Sequence, residues 1–124
     1  MLSAKIDQKN GIAILEPEGA LSENDFQSAR AVIDPFIESK GYLKGVIIHT
    51  KSFPGWDSFG ALLSHLTFVK DHHKKISSVA FATDSILGSL AEMVGSHFVD
   101  AKVRVFSFDE LEKAKAWILK NDTH

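Results

Sequence analysis

Two short runs of unbroken apolar residues, Val46–Ile48 and Val79–Ala82, constrain the fold more than any other feature of the chain. Runs of this kind mark strands covered on both faces, as in a parallel sheet flanked by helices. "GVIIHT" leads into a helical pattern over about residues 58–71, and "SVAFAT" into one over about 86–98. "KVRVFSF" leads into "DELEKAKAWILK", with Ser107 and Glu110 at capping-box spacing. Strands alternating with helices predict a parallel sheet with right-handed crossovers. Lys102 and Arg104 alternate with Val103 and Val105, the pattern of an edge strand.

The N-terminal part reads differently. "SAKIDQ" and "GIAILEPEG" flank Asn10-Gly11, a dipeptide that favours a type I′ turn, so a hairpin is expected. "LSENDFQSARAVIDPFIESKGY" reads as the first helix, capped by Ser22 with Asp25 at the third helical position. Leu21 and Phe26 have the spacing of a hydrophobic staple. Phe26, Ala29, Ile33, Phe36 and Ile37 share one face. Pro35 removes one internal hydrogen bond, so a kink or a restart after Asp34 is expected, and Gly41 supplies the stop. No repeat, linker or low-complexity tract interrupts residues 1–124, so the chain reads as one domain.

Composition removes several classes of function. A net charge of −2 with no long basic run lacks the concentrated positive field of a nucleic-acid binder. The absence of cysteine removes disulfides, thiolate nucleophiles and cysteine-based zinc sites, and it fits the cytosol. The start, "MLSAKIDQKNG", lacks the basic and apolar regions of a secretory signal. The longest apolar runs fall far short of the roughly 20 residues of a membrane span.

The two middle helices are greasier than a sheet cover requires. Phe59, Leu62, Leu63, Leu66 and Val69 form one core-facing stripe, which leaves Trp56 and Phe68 over. Ile86, Leu87, Leu90, Ala91, Met93, Val94 and Phe98 spread over roughly 160°, wider than the stripe that one contact needs. Gly88 and Gly95 each weaken that helix by about 1 kcal/mol relative to alanine. Either this is a thick core or a homodimer interface, or the two helices form a movable cover over an apolar cavity.

"FPGWDSFGALLSHLTFVKDHHKKISSVAFATD" followed by "KVRVFSFDELEKAKAWIL" resembles the bacterial family of small SpoIIAA-like proteins, related in fold to STAS and CRAL-TRIO domains. The resemblance rests on a "GW" loop opening the second helix, an aspartate at the strand end before the third, and the "VRVF…WIL" tail. It covers nearly the whole chain. It implies an α/β, SpoIIAA-like fold: a five-stranded mixed sheet with an N-terminal hairpin, then strand–helix units, and four main helices. Two kinds of role come with it. STAS antagonists switch protein partners when a serine is phosphorylated, whereas CRAL-TRIO domains carry hydrophobic molecules behind a mobile helical gate. The STAS acceptor motif Asp-Ser-Ser-Gly corresponds here to Asp57-Ser58-Phe59-Gly60. Phe59 stands where the acceptor serine would be. That leaves Ser58 as a displaced phosphosite candidate, or as a helix cap together with Asp57.

Catalytic and metal chemistry find little support. His49, Asp57 and Ser58 are residue types suited to acyl transfer, but there is no G-x-S-x-G elbow and no glycine-rich oxyanion loop. His65 and His72 share a helix face near Asp71 and His73, yet "KDHHKK" reads as a solvated helix end rather than a metal set. No phosphate-binding glycine loop is present, and Asp57 and Asp84 at helix starts would repel an anion. The expectation is a non-enzymatic module without cofactor. Its first reading is a binder of a hydrophobic small molecule or lipid between helices 58–71 and 86–98. Trp56, Phe59, Leu63, Leu66, Leu90 and Val94 would line the site, and Phe68, Leu87 and Met93 would form an interaction surface. A cytoplasmic location with peripheral association at the inner face of the membrane, and a homodimer, extend that reading. The alternative is a STAS-like regulatory module with a protein partner and Ser58 as its phosphosite.

Overall fold

The computed structural model describes residues 2–18, 22–40, 43–51, 76–84 and 102–120. Strands β1 (Leu2–Asp7) and β2 (Ile12–Pro17) form the expected hairpin. Helix α1 (Glu23–Lys40) leads to β3 (Leu43–His49). Then follow β4 (Ile76–Ala82), β5 (Lys102–Phe106) and α2 (Leu111–Lys120). The strands lie side by side in chain order, β1 antiparallel to β2 and the other four parallel. This is an α/β architecture on a five-stranded mixed sheet. The expected helices over 58–71 and 86–98, and the expected staple of Leu21 on Phe26, lie outside the described residues.

The hairpin is right but its turn is not a type I′ dipeptide. Asp7 pairs directly with Ile12, so residues 8–11 form a four-residue loop. Gly11 alone takes positive φ, at 69°, and Asn10 does not. A type I′ turn needs positive φ at both central residues. The longer loop is held by Asp7, whose carboxylate accepts from the Asn10 amide at 3.2 Å and from Asn10 Nδ2 at 2.8 Å. Its carbonyl accepts from Gly11 N at 2.7 Å.

Helix α1 starts as its cap residues dictate. Ser22 Oγ accepts from the Asp25 amide, and the Asp25 carboxylate accepts from the Ser22 amide at 2.8 Å. The helix then runs without a restart through Pro35. A proline costs the helix one hydrogen bond, and burial of Ala29, Ile33 and Ile37 outweighs that loss. Each fully buried isoleucine contributes about 1.5–3 kcal/mol. Helix α2 begins at Leu111, later than the "DELE" pattern suggests. The Ser107/Glu110 pair closes a tight turn instead: Glu110 N donates to Ser107 O, and Ser107 N donates to Glu110 Oε1, both at 2.9 Å.

Val46, Ile47, Ile48 and Val79 to Ala82 are fully buried or nearly so, as their unbroken apolar pattern predicts. On one face of the sheet Ala114 and Ile118 of α2 pack on Ile12, Ile14, Ile47, Ala80, Ala82 and Phe106. Helix α2 comes in close because Gly45 lies beneath it. A Cβ on Gly45 would stand 2.6 Å from Ile118 Cγ2. Strand β5 is an outer strand as expected, although Val105, placed inward by the alternation, is 46% exposed.

Candidate functional site

The C-terminal ends of β2 to β5 lie together at one edge of the sheet, and the polar residues of the described core concentrate there. The parallel register that sets Ile14 beside Ile47 also sets Glu16 next to His49, on the α2 face. His49 in turn lies beside Ala82, which lies beside Phe106. One residue beyond the strands, Thr50 N donates to Ala82 O and Thr83 N donates to Phe106 O. Thr50 Oγ1 donates to Pro17 O at 3.0 Å. The ladder thus extends past its apolar part with both threonines buried.

His49 is the hub of this edge. Its Nδ1 meets Glu16 Oε2 at 3.0 Å, and its Nε2 meets the Phe108 carbonyl oxygen at 3.0 Å. The imidazole stacks on the Phe108 ring, with centroids 4.4 Å apart and planes 8° from parallel. Phe108 N donates to Asp84 Oδ1 at 3.1 Å. Glu16 Oε1 pairs with Lys5 Nζ at 2.9 Å. The result is a chain, Lys5–Glu16–His49–Phe108–Asp84, that ties β1, β2, β3, the end of β4 and the turn before α2. Burial pushes the Glu16 carboxyl up, but the hydrogen bonds from Lys5 and His49 outweigh it and hold the group below the ordinary glutamate value.

Chemistry limits what this arrangement can do. A carboxylate and a backbone carbonyl only accept, so His49 makes both bonds at once only when both ring nitrogens carry hydrogen. A general base needs one nitrogen free to take a proton from a reacting group. Here Nε2, the nitrogen remote from the carboxylate, faces a backbone carbonyl. The side chain is 14% exposed. The His–carboxylate pair is therefore a clamp that fixes the end of β3, from which the "SFPGWDSFG" stretch departs.

The sequence offered His49, with Asp57 and Ser58, as residue types for acyl transfer with little support; the structure places His49 in the clamp, and Asp57 and Ser58 lie outside the described residues. Sequence reasoning did not single out Glu16, Phe108 or Lys5. The available signal was Glu16 itself, a charge directly after the apolar run Ile12–Leu15. The proposed ligand-lining residues Trp56, Phe59, Leu63, Leu66, Leu90 and Val94 lie outside the described residues. So do Phe68, Leu87, Met93 and the phosphosite candidate Ser58, and the histidines weighed for metal. Among the described residues no group of three or more histidine, cysteine or acidic side chains is placed to hold a metal ion. Among them, too, no helix is long and apolar enough to cross a membrane.

A hairpin followed by parallel strands in simple sequential order, with a terminal helix on one face, defines the class. The SpoIIAA-like family model matches residues 12–119, and the chain belongs to that family. No curated protein and no solved structure matches it.

Proposed function

We propose that this chain is a non-enzymatic regulatory module of the STAS type that works by binding a protein partner. The observation that carries this reading is the closed bonding of the sheet's C-terminal edge in a SpoIIAA-like chain. Both ring nitrogens of the histidine there face groups of the chain itself, which suits a rigid platform better than an acid–base site. The segment leaving that platform contains Asp57-Ser58-Phe59-Gly60 in place of the phospho-acceptor motif. Ser58 is the proposed regulatory serine, and Trp56 and Phe68 are the proposed anchors, aromatic residues being favoured at binding hot spots.

The test is capture of partners from the native host on immobilised wild-type, Ser58→Ala and Ser58→Glu protein, with phosphopeptide mapping of Ser58. A partner held by the first two proteins and lost by the third supports the reading. A hydrolase activity that disappears in Ser58→Ala refutes it. A partnerless protein that binds fluorescent fatty acids would instead favour the apolar carrier, whose lining residues all lie outside the described ones.

A further inference from the structure

At the other end of the sheet three lysines converge. The β1–β2 loop carries Lys9, α1 ends at Lys40, and Lys44, the second residue of β3, lies beside Gly11. Lys44 N donates to Gly11 O at 2.9 Å, and a Cβ on Gly11 would meet Lys44 Cγ at 3.6 Å, so the lysine stem lies along the loop. With Gln8, Asn10 and Phe36 these lysines line an open cleft of about 340 Å³. Among the described residues no carboxylate lines it. Among the described residues no acidic group pairs with Lys9 or Lys40. Lys40 sits in the last turn of α1, where the helix dipole favours a cation, but Lys9 has no such local reason. Beside the cleft, sharing Gln8, Phe36 and Lys40 with it, runs a trough of about 380 Å³ between β1 and α1. Ile6, Val32, Pro35 and Phe36 make about half of its lining apolar, and Gln8, Ser39 and Lys40 supply the polar half. Strand β1 is also an outer strand, paired with β2 on one side only.

We propose that the cationic cleft and the half-apolar trough together dock an acidic–apolar segment of a protein partner. Carboxylates of the segment sit at Lys9 and Lys40, and its apolar side chains lie on Phe36, Val32 and Ile6. Charge complementarity and the adjoining trough select this occupant. A nucleic acid is a long uniform polyanion and wants a basic stripe, which a chain of net charge −2 does not offer here. An anionic membrane surface gains only about 1 kcal/mol from each lysine and has no use for a trough between a strand and a helix. A peptide with alternating carboxylates and aliphatic side chains uses both halves. The surface lies at the opposite end of the sheet from the His49 clamp, so it stands or falls independently of the Ser58 switch.

The experiment is a titration of the 15N-labelled full chain, followed by amide shifts. The probe is an acetylated, amidated synthetic peptide of alternating glutamate and leucine. Peptides with glutamine for glutamate, or serine for leucine, and phosphatidylglycerol vesicles run in parallel. Expected are shifts confined to residues 6–11 and 32–44, and binding that weakens with salt. Affinity should fall about tenfold in Lys9→Glu, equivalent to about 1.4 kcal/mol, and further in Lys9→Glu/Lys40→Glu. The milder Lys9→Gln/Lys40→Gln protein should weaken binding in the same direction at an unchanged melting temperature. The proposal is overturned if the peptide leaves these amides unshifted, if the glutamine peptide binds equally well, or if the charge variants bind like wild type. Shifts caused by the vesicles and not by the peptide would overturn it in favour of a membrane surface.

Discussion

The two ends of the sheet carry opposite charge and handle it in opposite ways. At the C-terminal end each carboxylate of Glu16, Asp25, Asp84 and Glu110 accepts a bond from within the chain: Glu16 from Lys5 and His49, Asp25 from Ser22, Asp84 from Phe108 and Glu110 from Ser107. At the N-terminal end Lys9 and Lys40 line a cleft in which no described residue is a carboxylate. A net charge of −2 hides this polarity. Closed charges specify geometry, because each partner restricts the next. Open charges specify what approaches from outside, through steering and complementarity. The first end should therefore answer to mutation with stability, and the second with binding.

The largest effect is expected where α2 connects the two ends. Gly45→Ala places a methyl 2.6 Å from Cγ2 of Ile118, a fully buried and β-branched side chain with little room to turn aside. Overpacking should cost about 3 kcal/mol, read in urea unfolding. An unchanged midpoint would mean that α2 is free to shift on the sheet, and that the clamp does not hold it.

His49→Ala comes next, at about 2 kcal/mol, from two lost hydrogen bonds and a lost ring stack. An unchanged urea midpoint in His49→Ala would show that the contacts to Glu16 and Phe108 do not hold this edge.

A smaller effect concerns acid. Hydrogen bonds hold the carboxyls of Glu16, Asp25 and Glu110 below their ordinary values. For Asp25 and Glu110 the main cause is the bond from the backbone amide of Ser22 or Ser107. A depressed value in the folded state means that the unfolded chain binds protons first as pH falls. The stabilisation is complete above the ordinary carboxyl range, near pH 4, and is lost as pH drops through the lower folded values. Glu16→Gln should flatten this acid limb of a stability–pH curve. An identical limb would show that Lys5 and His49 do not act on Glu16.

The smallest effect is expected at the open end. Lys9→Glu should change unfolding free energy by less than about 0.5 kcal/mol, as exposed substitutions away from networks usually do. A large loss would mean that the lysine cleft is itself part of a closed network, and the contrast between the ends would disappear.

Local chemistry made much of the fold readable in the chain. The apolar runs at Val46–Ile48 and Val79–Ala82 predict buried parallel strands, because a strand covered on both faces has no position for a polar side chain. Ser22 and Asp25 predict the start of α1, because a cap bonds only to its own first turn. Asn10-Gly11 marks the hairpin, but not its loop length, since Asp7 competes for the same amides. Pro35 shows the opposite limit: a local rule expects a break, and burial of Ile33 and Ile37 on either side overrides it. Of the clamp only a hint was readable, the charge of Glu16 directly after an apolar run. Glu16, His49 and Phe108 are far apart in the chain, and only the register of β2 on β3 and the turn before α2 bring them within hydrogen-bonding distance. The lysine cleft likewise arises from three chain ends (a loop, a helix terminus and a strand start) that meet at one end of the sheet. Pattern within a segment records that segment's burial and caps; contact between segments depends on register and crossover, which tertiary packing alone decides.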